Sequence, residues 1–344
     1  MKMGIIGLEG VGKATIFEAL TQNSVLGAAR DQARIGTIRV PDQRVDILSE
    51  MYQPKKTIYA QVEYSLPGGK GHGNDPQKDQ NFWTPVRDCD ALIHVVRNFG
   101  GYGYEDPTPA EDFQRLDQDL ILADLVVVEK RIERIELDKR RGKNVDGEEA
   151  AKLAECLEHF ENEMPLRKFP ELASAPVLRG FAFVSGKPML VLFNNEDDDD
   201  AMPAAGALIE QENCMVIRGK LEQELAQMSD VDAAEFLAEF EITASAMDRV
   251  ILKSYDILGL VSFFTVGEDE VRAWTIVHDT QALDAAEVIH SDIKKGFIRA
   301  EVLYYDDLLA AKTYKEARSR GTVRLEGKTY LVKDGDIINF RFNV

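Results

Sequence analysis

The 344-residue sequence predicts an α/β fold on a mostly parallel sheet, interrupted by an antiparallel helical hairpin and followed by a separate α+β domain. Three observations predict it. First, the chain opens with an apolar strand that runs into the glycine-rich turn Gly7-Leu8-Glu9-Gly10-Val11-Gly12-Lys13, and apolar strand-like runs then alternate with helical patterns to about residue 111. Second, residues 112–165 carry apolar side chains at spacings of three and four in two successive blocks. Third, strand-like runs resume as a distinct group from about Gly259.

The opening turn carries the chemistry. Gly7-x-x-x-x-Gly12-Lys13 has the spacing of a phosphate-binding loop, and the strand before it and the helix after it supply the context that the motif requires. Gly10 and Gly12 let backbone N–H groups converge on phosphate oxygens, the helix starting near Lys13 presents its positive end, and Lys13 adds a point charge. The candidate nucleotide-binding residues here are therefore Glu9, Gly10, Val11, Gly12, Lys13, Ala14 and Thr15. The position after the lysine, where a hydroxyl would ligate Mg²⁺, is Ala14. Thr15 lies one residue further on, about 100° around the helix, and is a weak substitute.

Residues 58–64 and 91–96 read as strands and 42–51 as a helix. The second region pairs Ile121, Leu125, Val128, Ile132 and Ile135 with Ala150, Leu153, Leu157, Phe160 and Met164 as two amphipathic helices joined by a turn at 142–147. Lys139, Arg140, Arg141 and Lys143 gather at that tip, either as a solvated helix end or as a small RNA or protein contact. Residues 188–193 form another buried strand, so the hairpin is expected as an insertion. Beyond Gly259, strands are expected at 260–266, 273–277, 328–332 and 336–342, with a helix over 282–293.

Composition bounds the function. Hydrophobic residues make up 44% of the chain, enough for a buried core, and no run approaches the roughly 20 apolar residues of a membrane span. The first residues enter a buried strand with no cleavable leader pattern, which makes the cytoplasm the expected location. Cys89, Cys156 and Cys214 are too scattered for a disulfide framework or a CxxC metal site. The net charge of −19 is concentrated in residues 196–247, which hold 14 acidic against 2 basic side chains and argue against a nonspecific nucleic-acid coat. The run Glu196-Asp197-Asp198-Asp199-Asp200 reads as a solvated loop or a cation contact. Residues 259–344 are nearly neutral, with 12 basic and 14 acidic side chains.

Several blocks together resemble one family. Gly7 to Thr15, His94-Val95-Val96-Arg97, Val271-Arg272-Ala273-Trp274-Thr275-Ile276, Lys295-Gly296-Phe297-Ile298-Arg299-Ala300 and the ending from Lys333-Asp334-Gly335-Asp336 to Asn343-Val344 are similar to the YchF or Obg-like ATPase subfamily of Obg GTPases, over the whole chain. The resemblance implies a P-loop G domain over residues 1–111 and 181–258, an inserted helical hairpin over 112–180, and a C-terminal TGS domain of ubiquitin-like β-grasp fold over 259–344. It also implies a cytosolic, ribosome-associated protein that binds ATP in preference to GTP.

The departures from the family pattern fall where chemistry would occur. Besides Ala14, the switch II Asp-x-x-Gly aligns with Ser65-Leu66-Pro67-Gly68, leaving Ser65 as a second weak metal candidate. The chain is short between Leu20 and Gly36, with no convincing switch I threonine. The segment Asn98-Phe99-Gly100-Gly101-Tyr102-Gly103-Tyr104 lacks the family's histidine linked to hydrolysis, and His72 is the weak catalytic candidate that remains. The family's base-side Asn-x-x-Glu aligns with Phe193-Asn194-Asn195-Glu196, so Asn194, Asn195 and Glu196 are candidates for an adenine edge, and Phe193 for core. Arg218-Gly219-Lys220 places two cations in the last base-side loop. Phosphoryl transfer depends on Mg²⁺ and a positioned water, so these losses predict weak or absent hydrolysis, with Mg²⁺ dependence in doubt.

The favoured reading is an adenine-nucleotide switch protein that signals through the hairpin and TGS domain, as a monomer, in translation or stress regulation. The alternatives are a working Mg²⁺-dependent ATPase or GTPase, and a nucleotide-free scaffold that binds ribosome or RNA through the hairpin tip and TGS surface. The glycine-rich run at 68–73 is expected to be disordered, or in an alternative conformation, without a ligand.

Overall fold

A computed structural model describes residues 1–22, 33–68, 76–101, 105–239 and 245–343. His72 and most of the glycine-rich run around it lie outside the described residues. The strands, in chain order, are β1 (Lys2–Ile6), β2 (Arg34–Arg39), β3 (Lys56–Ile58), β4 (Gln61–Leu66), β5 (Ala91–Asn98), β6 (Met189–Asn195), β7 (Asn213–Ile217), β8 (Leu260–Val266), β9 (Glu270–Val277), β10 (Phe297–Leu303), β11 (Arg324–Glu326) and β12 (Ile337–Phe342). The chain divides into two compact units, Met1–Thr37 with Glu63–Val250, and Ile38–Val62 with Ile251–Val344.

The first unit is organised on a sheet of order β2-β4-β1-β5-β6-β7. β1 pairs parallel with β4 and β5, β5 with β6, and β6 with β7. The central strands are buried along most of their length, as strands covered on both faces must be, which is why they read as continuous apolar runs. Ile6, Leu92, Val96, Val191 and Phe193 share one core cluster, so Phe193 is core. The α/β architecture expected from the sequence is present.

The hairpin consists of helices Pro109–Arg140 and Gly147–Glu161. Asp146 caps the second helix, accepting from Glu148 N at 2.9 Å and Glu149 N at 3.3 Å. Val128, Ile135, Leu153, Cys156 and Phe160 form its seam, on the three-and-four spacing of the sequence. At the base, Arg167 donates to Asp117 at 2.6 Å and to Glu212 at 2.8 Å, with all three side chains largely buried. Asp124 is fully buried and receives Arg87 at 2.8 Å, Val184 N at 3.1 Å and Ser185 N at 2.7 Å.

The second unit has a sheet of order β11-β10-β12-β8-β9-β3. Phe263, Ala300, Val302, Ile338 and Phe340 fill its core against the helix Ala282–Ile289. Three local expectations change. The single strand expected over 58–64 is two, because Lys56–Ile58 pairs parallel with β9 in the second unit while Gln61–Leu66 continues in the first sheet. The helix expected over 282–293 breaks at His290, which is extended and accepts a hydrogen bond at Nδ1 from Asp292 N at 3.2 Å, starting a new helix at Ser291. The strand expected over 328–332 forms only the Gln281–Leu331 bridge, while residues 324–326 pair antiparallel with β10.

Candidate functional site

The glycine-rich loop connects β1 to the helix Lys13–Thr21. Gly7, Gly10 and Gly12 have φ of 153°, 80° and 94°, a region that L side chains rarely adopt. A Cβ on Gly7 would also lie 2.5 Å from the Val95 carbonyl. The glycines are thus dictated by the path of the loop.

Lys13 lies across this loop. Its Nζ donates to the carbonyls of Gly7 at 2.9 Å and Leu8 at 2.5 Å, and burial lowers its pKa against the opposing influence of Glu9. An ammonium held by neutral carbonyls gains charge-assisted bonds when an anion replaces them. Ala14 is exposed beside it and offers no oxygen, Thr15 is half-buried on the next helical position, and Glu9 is exposed at the loop tip. Ser65 is buried inside β4, paired with Gly4. Among the described residues, no three His, Cys, Asp or Glu side chains come together as a metal-ligand set.

Asn194, at the C-terminal end of β6, ties the loops together. Its Nδ2 donates to Val11 O at 3.0 Å, and its Oδ1 accepts from Gly219 N at 2.9 Å. Cβ atoms on Gly12 or Gly219 would fall 2.4 and 2.7 Å from this amide, so both glycines are fixed by close approach to Asn194. Asn195 is buried too, accepting from Asn98 at 2.9 Å and donating to Ala201 O at 2.8 Å. Glu196 accepts from Gly100 N at 2.8 Å. Asp197, by contrast, meets the last base-side loop, where its Oδ1 accepts from Leu221 N at 3.2 Å and its Oδ2 lies 3.6 Å from Lys220 Nζ. Asp197 stands three residues after Asn194, within an acidic run whose members composition does not distinguish.

Behind the loop, His94 is fully buried in β5 and stacks on Phe113 with ring centroids 5.0 Å apart. Neither imidazole nitrogen has a hydrogen-bond partner. Burial, then Arg167 and Lys13, push its pKa down to about 3. The unfolded chain therefore takes up a proton below about 6.5 that the native His94 refuses, so this contribution to stability is present above pH 6.5 and lost as pH falls towards 3. Denaturant unfolding between pH 6 and 4 should show wild type losing about 1.4 kcal/mol per pH unit more than His94→Leu. Burial likewise raises the thiols of Cys89 and Cys214 to about 11 and Cys156 to about 12, which keeps them protonated and unreactive.

Fold and loop together define a P-loop G-domain protein with a helical hairpin and a second α/β unit. The C-terminal family model YchF-GTPase_C, described as a protein of unknown function (DUF933), matches residues 260–343. The curated ribosome-binding ATPase YchF of Bacillus subtilis is 37% identical over 99% of this chain and 99% of its own length. Its Escherichia coli O157:H7 counterpart is 34% identical over 100% and 99%. The solved Schizosaccharomyces pombe YchF GTPase superposes with a TM-score of 0.82 at 27% identity, covering 99% of this chain and 97% of that one. A GTP-binding protein from Pyrococcus horikoshii OT3 shares the fold, with a TM-score of 0.60 at 19% identity over the full length of both. The chain belongs to the YchF family.

Proposed function

We propose that this chain is a nucleoside-triphosphate-binding switch protein of the ribosome in the cytoplasm, which holds the phosphates through its loop and hydrolyses them weakly or not at all. The reading is supported by the positive-φ glycine loop with Lys13 across it and, among the described residues, by the lack of a hydroxyl after that lysine. Positive-φ glycines and a half-buried Lys13 would surround the phosphates, Ala14 has no oxygen to offer Mg²⁺, and Ser65 is embedded in β4. The loop would grip phosphate by backbone N–H groups and the ammonium, neither of which requires the metal. Ribosome association is supported by the names of the curated relatives, and the exposed basic tip at Lys139, Arg140, Arg141 and Lys143 offers a surface of the right sign for rRNA. ATP is the nucleotide in those names and the one that the resemblance implies.

Turnover and ribosome binding test this reading. Phosphate release from ATP or GTP should not exceed that of a Lys13→Ala control, and co-sedimentation with ribosomes should change when nucleotide is added. Mg²⁺-dependent turnover that Lys13→Ala abolishes would make the chain a working NTPase instead. Ribosome binding indifferent to nucleotide would make it a scaffold.

A further inference from the structure

We propose that the cavity at the base of the helical hairpin binds a free basic amino acid such as arginine. The cavity holds about 340 Å³, the size of a small-ligand site, and lies wholly within the first unit. One wall comes from the helix Pro109–Arg140. The seam of that helix repeats every seven residues through Ile121, Val128 and Ile135, and the same register one heptad earlier reaches Gln114. Leu125 and Ile132 lead back in the same way to Gln118. Both glutamines line the cavity beside Asp117, so the apolar seam turns polar where the cavity begins.

The inner wall carries an excess of negative charge. Arg167 donates through Nη1 and Nη2 to the two oxygens of Asp117, at 2.6 and 3.0 Å, and through Nε and Nη2 to one oxygen of Glu212, Oε1, at 3.0 and 2.8 Å. The other oxygen, Oε2, has no hydrogen-bond partner among the described residues, although the Glu212 side chain is only 10% exposed. One guanidinium thus faces two carboxylates, and a free acceptor remains in a largely desolvated wall. A carboxylate in such a place is costly unless a cation meets it.

The rim continues the match. Lys168 Nζ, on an exposed side chain, reaches only Gln211 Oε1, at 3.5 Å, and the exposed Glu163 carboxylate has no partner among the described residues. A ligand with a cationic end on a short stem would set that end at Glu212 Oε2 and lay its stem along Phe113, Ile121 and Leu208. Its far end would then meet one cation and one carboxylate, the complement of an α-carboxylate and an α-ammonium. A simple alkyl guanidine leaves Lys168 unanswered, and a neutral amino acid leaves Glu212 unanswered. Arginine answers both, and its net positive charge balances the three carboxylates and two cations of the lining.

Calorimetry with L-arginine, L-citrulline and N-acetyl-L-arginine amide, on wild type, Glu212→Gln and Lys168→Ala, tests this. Wild type should bind L-arginine about 10-fold or more tightly than citrulline, which keeps the shape and loses the side-chain charge. Glu212→Gln keeps an oxygen for Arg167, removes the excess charge and should weaken L-arginine about 10-fold. Lys168→Ala, at an exposed position, should weaken L-arginine about 3- to 10-fold and leave the blocked amide unchanged. The blocked amide stands for an arginine side chain within a polypeptide and should bind more weakly than the free amino acid. Citrulline or the blocked amide binding as tightly as L-arginine would overturn the assignment, as would failure of wild type to bind L-arginine. If Glu212→Gln does not fold, the ligand comparison on wild type and Lys168→Ala decides alone.

Discussion

Replacing Arg167 with alanine should destabilise the first unit by about 3–5 kcal/mol, the cost of removing one partner from a buried ion group. Its guanidinium makes paired bonds to Asp117, at 2.6 and 3.0 Å, and reaches Glu212 at 2.8 and 3.0 Å. Only 6% of the Arg167 side chain is exposed, and 14% and 10% of its two partners. Two carboxylates would then be left facing each other without a cation, in a site where Phe113 also loses the guanidinium stacked over it. The same charge repels a proton from His94, so the variant should also show a shallower acid dependence of unfolding. Denaturant unfolding of Arg167→Ala, beside Arg167→Lys, measures both effects. The lysine variant should recover only part of the loss, because an ammonium cannot span two carboxylates bidentately.

Asn194→Ala should cost about 2–5 kcal/mol and weaken nucleotide binding as well. The substitution leaves Val11 O and Gly219 N without partners in a buried place, at about 1–3 kcal/mol each. It also opens space between Gly12 and Gly219, which now pack against the amide. Because Asn194 is the bridge between the phosphate loop and the last base-side loop, the two should lose protection together in hydrogen exchange. Asn194→Asp is the informative companion, since it keeps an acceptor for Gly219 N and removes the donor to Val11 O. If only the 218–221 loop loosened in Asn194→Ala, the phosphate loop would be held by other groups and the bridging role would be wrong.

The glycine-rich loop was legible because its glycines answer to local backbone geometry, and positive φ at three nearby positions writes itself into the sequence. The hairpin was legible for the same kind of reason, since helical packing imposes its own period. Contacts set by distant partners left weaker traces. Arg167 meets Asp117 and Glu212 across 50 and 45 positions, and no spacing rule links them. The three-residue strand Lys56–Ile58 is too short to show alternation, and its place beside β9 is settled by pairing alone. In the acidic run after β6, composition makes the carboxylates equivalent. Only tertiary contacts distinguish them, with Glu196 turned to Gly100 N and Asp197 to Leu221 N.

The central claim is that this loop binds nucleotide phosphates without relying on Mg²⁺. Calorimetric titration with nucleotide, in Mg²⁺ and again in EDTA, beside Lys13→Ala, addresses it most directly. The account predicts binding of about micromolar strength that survives EDTA and falls about 10- to 100-fold in Lys13→Ala, as expected for the loss of a charged hydrogen-bonding group. Binding that vanishes in EDTA, or that Lys13→Ala leaves unchanged, would contradict it.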